Sequence, residues 1–375
     1  LSAVASPVRG EGTKATDLGS LSQWELTRLR FSRHKPAVAS LYLLGVLYTL
    51  ALFAEFFAPY SKSWNDVDHV YAPPQIPRIS FAHGLHAAGI ERHVDPVTLK
   101  NYYTRSENVV PLGFFVKGMP YRLWGLIPMD RHFFGAVPED GQARAPAFFL
   151  LGADKFGRDI LSRLIFSARI SLSIGVVAIV VTFLLGVTIG GISGYVGGGA
   201  DNLIQRSIEV INSFPQLPLW LALAAVLPTD WSSIQTYFAI TIVLSLLGWT
   251  GLARVVRGKI LSLREEDYAV AARLLGASHG RILFRHLLPG FTSHIIVSLS
   301  LSVPAMILGE TALSFLGLGL RPPVVSWGVM LQECINIDIV ANYPWLLMPV
   351  FLIILTVLAF NFVGDGMRDA ADPYR

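Results

Sequence analysis

Three histidines, His279, His286 and His294, recur at intervals of seven and eight residues, which is not the spacing of a zinc site. The lysine of RGKIL, Lys259, precedes Ile260 instead of the Ser or Thr that would hold a nucleotide's magnesium. No His-Glu-x-x-His and no dinucleotide glycine fingerprint occurs. Cys334 is the one cysteine, which rules out an internal disulfide and a cysteine metal cluster. Recognisable machinery for ATP hydrolysis, metal catalysis and hydride transfer is therefore missing from the sequence, and energy for any work must come from a partner or a gradient. The chemistry left is that of charge beside apolar chain. Glu310 lies inside an apolar run, where a carboxylate is costly and faces protein or water. AARLLGASHGRILFRHLLPG, residues 271–290, places Arg273, Arg281 and Arg285 between two further runs.

Those runs define the elements. Of 375 residues 53% are hydrophobic and 15% charged, with mean hydropathy +0.51, against about 25% charged in soluble domains. Runs near 20 residues are long enough to cross a hydrocarbon core of roughly 30 Å. The sequence predicts an all-α membrane protein with six spans, at about 37–58, 164–194, 203–228, 234–254, 287–317 and 345–365. The third is the weakest, because Pro215 and Pro218 interrupt it and Arg206 and Glu209 sit near its start. Residues 1–36 form an N-terminal tail and an amphipathic helix, SLSQWELTRLRFSRHK; residues 1–19 have the small polar composition of disordered chain. Residues 59–155 form a large insert without a span-length run, 156–366 a five-helix core with a loop at 255–289, and 367–375 a polar tail.

Orientation follows from the short loops. The segment up to residue 36 carries six Lys/Arg and 254–285 carries seven, whereas 318–344 carries only Arg321. The positive-inside rule puts both termini and the 254–285 loop in the cytoplasm and the insert outside. The net charge of +4 and pI near 9.2 then reflect cytoplasmic loops rather than nucleic-acid binding. Nothing in residues 1–30 resembles a secretory signal.

In the loop, Glu265, Glu266 and Asp267 favour a helix start, and Ala269, Ala271, Ala272 and Arg273 its continuation. Gly276 suits a left-handed helix end. A second short helix is predicted from about Ser278 to Leu287, broken by Pro289. Two readings fit equally well: a compact knob whose alanines let a partner approach, or a membrane-surface helix with arginines at the headgroups.

The run AA-x3-G-x11-LP, as Ala271–Ala272, Gly276 and Leu288–Pro289, resembles the signature loop of ABC-importer permeases. Val270 and His286 depart from the residues common there, Glu and Ile. The flanks GWTGLARVVRGKILSLREEDYAVAARLLGAS and GRILFRHLLP, the segment LGADKFGRDILSRLIFSARISLSIG and the run PAMILGETALSFLGLGLRPPVVSWGVML are similar to the oligopeptide/dipeptide/nickel branch. The resemblance implies the type I importer fold, with a homologous second permease subunit, two ATPase subunits holding ATP and Mg, and an external substrate-binding protein. It implies a bacterial inner-membrane location and no cofactor in this chain. It places coupling to the ATPase on Glu265, Glu266, Asp267, Tyr268, Ala271, Ala272, Arg273, Leu275, Gly276, Ala277, Ser278, Arg281 and Pro289. Substrates of the branch are peptides, with oligosaccharides, opines and nickel complexes as alternatives.

Other features carry two readings each. Pro215 and Pro218 make either a path-lining kink or a static packing kink. Glu310 either lies near the path or bonds a neighbouring helix; as the deepest carboxylate it would also serve a gradient-driven transporter. VSWGVMLQE, with Trp327, reads as a short amphipathic element, in a region that the resemblance makes an outward gate. Asp154, Lys155, Arg158 and Asp159 read as a solvated collar of weak ion pairs, ahead of a direct contact with substrate. Gly186, Gly190, Gly194 and Gly198, four apart, read as a helix-packing face. The insert's aromatics, Tyr102, Tyr103, Phe114, Phe115, Tyr121 and Trp124, read as a lid with its own small core, or as a surface for the permease or the binding protein. A third class, a membrane receptor sensing through the insert, would need an output domain that the sequence does not show.

Overall fold

The computed structural model describes residues 23–98, 100–138, 145–228 and 230–371; the expected disorder of residues 1–19 and the last four residues of the tail lie outside them. Helix α1 (Gln23–Arg33) leads into α2 (Lys35–Leu52), whose first turn is capped by His34, its Nδ1 accepting from the Ala37 amide at 3.2 Å. A short α3 (Ala54–Phe57) follows. Next come α4 (Ile160–Val196), α5 (Gly198–Asn212), α6 (Gln216–Ala225), α7 (Ser233–Leu263), α8 (Asp267–Leu274) and α9 (His279–Arg281). The chain ends with α10 (Thr292–Phe315), α11 (Trp327–Leu331), α12 (Ile337–Asn342) and α13 (Met348–Ala371).

Among the described residues five helical stretches are long and apolar enough to cross a membrane: Lys35–Leu52, Ile160–Val196, Ser233–Leu263, His279–Phe315 and Pro344–Ala371. At 1.5 Å per residue α4 is about 55 Å long, well beyond the hydrocarbon core. The expected 203–228 span is interrupted: α5 ends at Asn212, and Pro215 supplies the N-cap of α6. Pro218 sits in the first turn of α6, where its missing N–H forfeits no helical bond. The last helix reaches Ala371, so the start of the expected polar tail is helical.

The insert corrects the all-α expectation. Strands β1 (Arg78–Ser80), β2 (Gly84–Val94), β3 (Asn101–Leu123) and β4 (Ile127–Ala136) form an antiparallel meander in that order. Its partial alternation of buried and exposed residues is weak evidence beside the apolar runs, and β3 is shared, pairing β2 with its first half and β4 with its second. Ala87, Val110, Leu112, Ala136 and Phe148 form a small core of its own.

The three largest clusters among the helices are these. Leu164, Leu172, Ile307, Trp327 and Ile353 pack where α4, α10, α11 and α13 meet. Ile174, Trp220, Leu244 and Met306 join α4, α6, α7 and α10. Val187, Val256, Ile260, Ala269, Ile282 and Leu287 join the far ends of α4 and α7 to the α8–α9 segment. The glycine row explains the close approach of α4 to α7. A Cβ on Gly190 would stand 2.4 Å from the Ala253 carbonyl oxygen, on Gly186 2.8 Å from Leu252, and on Gly194 2.8 Å from the Arg257 oxygen. Gly198 does not belong to that face: its φ is +57° and a Cβ there meets nothing.

Candidate coupling site and path

Glu266 is the N-cap of helix α8 and Asp267 lies in its first turn, where negative charge opposes the helix dipole favourably. It ends in a Schellman turn: the Ala277 amide donates to the Ala272 oxygen at 3.1 Å and the Gly276 amide to the Arg273 oxygen at 3.0 Å. That turn needs a left-handed residue, and Gly276 has φ +77°. The short helix therefore stops where the sequence implied.

Its base is fixed. Ala269 is fully buried against Val256, Ile260, Ile282 and Leu287, with Ala272 and Ala277 packed at the edge. Arg264 donates to the Gly194 and Tyr195 oxygens at 3.0 and 3.3 Å, satisfying carbonyls at the end of α4, and Arg273 donates to the Arg264 oxygen. His279 meets the Tyr195 hydroxyl at 3.2 Å. Nearby, Arg257 binds both oxygens of Asp201 at 2.6 Å, and Ser193 bonds the same carboxylate, tying α7, α5 and α4 together. A groove of about 390 Å³ lies beneath, lined by Tyr195, Val196, Arg264, Glu265, Arg273 and His279.

The opposite face is bare. Leu274 and Leu275 are 83% and 88% exposed, beside exposed Tyr268. Glu265, Glu266, Asp267, Ala271, Arg273, Gly276, Ser278, Arg281 and Pro289 are also exposed. Leu274 was missed in the sequence; five residues beyond buried Ala269, it falls on the far side of the helix, so helical phase alone could have found it. The loop is shorter than expected, since α7 continues to Leu263. The second short helix, α9 and the turn after it, ends at Leu287 as expected, and around Pro289 the chain stays helical but not α before α10 starts at Thr292. Ile282–Leu287 form a π turn and Leu288–Phe291 a 3₁₀ turn, which make room for a ring that would clash in a regular helix.

The candidate path residues fall into two groups. Pro215 and Pro218 are exposed. Glu310 and Trp327 are fully buried and meet through Ser171, which donates to Glu310 Oε2 at 3.4 Å and accepts from the Trp327 amide at 3.1 Å. Ser314 donates to Glu310 Oε1 at 2.8 Å. Both carboxylate oxygens are thus engaged by serines, locking α4, α10 and α11. The expected amphipathic face of α11 is corrected: Trp327 to Leu331 are all buried.

The expected solvated collar holds for Lys155, which is exposed, but its two aspartates belong to a buried network that the partly exposed Arg158 joins. Asp154 and Asp159 are 3% and 2% exposed. Asp154 pairs with Arg158 at 2.7 Å and with Arg163, and Arg158 reaches Glu333 at 3.2 Å. Burial pushes the Asp159 carboxyl up to about 6, against the lowering bonds from Ser162. The folded chain therefore holds that proton more tightly than the unfolded chain, and the associated stability is complete below about pH 4 and lost as pH rises through about 6. Asp159→Asn, which keeps the helix cap, is expected to remove up to about 3 kcal/mol of stability change between those limits, read from thermal unfolding at pH 4 to 7.5. An unchanged pH profile would contradict this assignment.

Cys334 is half-buried, its thiol donating to the Leu346 oxygen at 3.4 Å, and burial pushes it up to about 11. At pH 8 about one thiol in a thousand is thiolate, so maleimide labelling of the native protein is expected to be far slower than that of an exposed cysteine.

Residues 186–374 match the family model for the binding-protein-dependent transport system inner membrane component, and 22–74 match the N-terminal TM domain of oligopeptide transport permease C. The oligopeptide transport system permease protein OppC of Bacillus subtilis is 31% identical over 94% of this chain and 90% of its own length. The dipeptide transport system permease protein DppC of the same organism is 40% identical over 59% of this chain and 68% of its own. The glutathione transport system permease protein GsiD of Pectobacterium atrosepticum is 40% identical over 72% of this chain and 88% of its own. With the apolar helices and the helix–glycine–helix loop in place, the chain belongs to the inner-membrane permeases of binding-protein-dependent transport systems.

Proposed function

We propose that this chain is one half of the translocation path of an ATP-driven importer of peptides, energised through the α8–Gly276 knob. The observation that carries the coupling reading is the pairing of a bare apolar tip, Leu274 and Leu275, with a base that is buried and bonded to α4 and α7. An apolar tip on a stiff stem has the form needed to sit in a partner and transmit displacement.

In this reading α5 and α6 together supply a sixth crossing, the insert lies outside, and both termini and the knob lie in the cytoplasm. A homologous permease subunit completes the path, two ABC ATPases with ATP and Mg sit beneath, and a binding protein delivers solute to the outer face. Closure of the ATPases pulls the knob, and the inner cluster passes the movement to α4, α7 and α10. The peptide class rests on the substrates named for the relatives; oligosaccharides, opines and nickel complexes are the alternatives to be scored beside it. Selection among them belongs to the binding protein.

Gly276→Val tests the coupling step. A Cβ there meets no neighbour, so the cost is the left-handed backbone alone, about 1–2 kcal/mol, felt in the turn. Expected is a folded complex that hydrolyses ATP while peptide uptake falls about five- to thirtyfold, the loss corresponding to that strain. Wild-type uptake coupled to peptide-stimulated hydrolysis would contradict the proposal.

A further inference from the structure

The hairpin of β3 and β4 runs back to the end of α2. Midway along it, His132 on β4 is buried with Nδ1 2.6 Å from the Ala58 oxygen, just beyond α3, and Nε2 3.0 Å from the Met119 oxygen. At its tip the Trp124 indole donates to the Leu52 oxygen at 2.8 Å, and its ring lies 5.2 Å from Phe53. Leu52 is the last residue of α2, an apolar span. The hairpin therefore descends alongside α3 from Ala58 to the end of the span. Phe115 and Phe133 line this descent against Phe56, each at 6.0 Å.

What the tip presents is apolar and open. Leu126 is 77% exposed and Ile127 49%, in the hairpin turn that Trp124 ties to Leu52, itself 54% exposed at the end of α2. Arg122 and Arg131 stand exposed on the strands just behind. Trp124 and Phe115, both bulky, hold φ of +53° and +55°, a region such residues rarely occupy without an over-determining reason. Trp124 takes the left-handed position of the hairpin turn, in which the Gly125 and Leu126 amides donate to the Arg122 and Leu123 oxygens, and the turn sets its ring against the end of the span, while Phe115 packs on Phe56 and Phe133.

We propose that this tip is a lipid-binding foot: Leu126 and Ile127 enter the headgroup–acyl boundary of the leaflet at that end of α2, Trp124 lies at the interface, and Arg122 and Arg131 reach lipid phosphates. Continuity with the lipid-facing surface of α2 selects lipid over a protein partner. The combination of aromatic, aliphatic and long basic residues is that of an interfacial anchor. The proposal needs only that α2 crosses the bilayer, and does not rest on the coupling reading.

The test uses the full chain with its copurifying subunits in nanodiscs of phosphatidylethanolamine and phosphatidylglycerol, with Cys334→Ser and Leu126→Cys labelled by an environment-sensitive NBD fluorophore. Expected are blue-shifted emission, little quenching by aqueous iodide, and quenching by 5-doxyl lipid at least about twofold stronger than by 12-doxyl lipid, as a shallow depth of roughly 5–10 Å requires. Phe81→Cys, at the distant β1–β2 turn where Phe81 is fully exposed, should report water. Iodide quenching at Leu126→Cys would overturn the proposal, and so would resistance to labelling or to both quenchers, which marks cover by protein. Ile127→Cys serves as the second site should Leu126→Cys fail to assemble, read by the same criteria.

Discussion

Aspartate at both Leu274 and Leu275 is expected to abolish ATP-driven uptake while leaving the chain folded in its membrane. Both side chains are more than four-fifths exposed, so nothing within the chain is lost, and Asp267 to Arg273 keep their helix. Burying two leucines in a partner contributes about 1.5–3 kcal/mol each, so their loss, with two carboxylates to desolvate, weakens seating by at least about 10²-fold. Uptake should fall to background, and ATPase subunits should no longer copurify. The matched change Ala269→Asp is different in kind: it places a charge in the inner cluster and is expected to unfold the knob. Normal uptake by the Leu274→Asp/Leu275→Asp variant would remove the tip from the coupling account.

The second large effect concerns α4 and α7. Gly190→Leu is expected to prevent accumulation of folded protein, because the new Cβ would lie 2.4 Å from the Ala253 oxygen and 2.7 Å from its Cα. Backbone atoms cannot step aside singly, so the helices must part, exposing Val187, Val256 and Ile260 and uncoupling the knob from its base. Overpacking of this kind costs about 1–3 kcal/mol where side chains can move, and more where backbone is the obstacle. Gly251→Ala is the control: a Cβ there meets nothing within 4 Å, and alanine favours a helix by about 1 kcal/mol. Equal expression and thermal stability of Gly190→Leu and wild type would contradict this packing.

These two sites also show where the sequence could be read and where it could not. Gly276 as a helix stop and Gly186, Gly190 and Gly194 as a contact face were legible because each depends on local backbone geometry or on one helical period. Gly198 fits the same period but lies past the end of α4, since element ends are set by tertiary contacts that a period cannot see. The buried network around Asp154 and Arg163 was hidden for a related reason: Glu333 is 170 residues away in sequence from Arg163, and charge beside a span reads as solvated until its partner is known. VSWGVMLQE read as amphipathic because α11 is only five residues long, too short for its residue pattern to separate a buried face from an exposed one. The insert's strands carry only partial alternation, and β3 reaches 23 residues by serving two partners in turn, a length that no strand rule anticipates.

The most direct measurement is crosslinking from Leu275→Cys in a Cys334→Ser background, in membranes containing the whole transport complex. The account predicts a crosslink to an ATPase subunit whose yield changes between the nucleotide-free and ATP-bound states, with Phe81→Cys giving none. Crosslinks from Leu275→Cys that reach only lipid, or solute accumulation by the purified chain alone under a proton gradient, would contradict it.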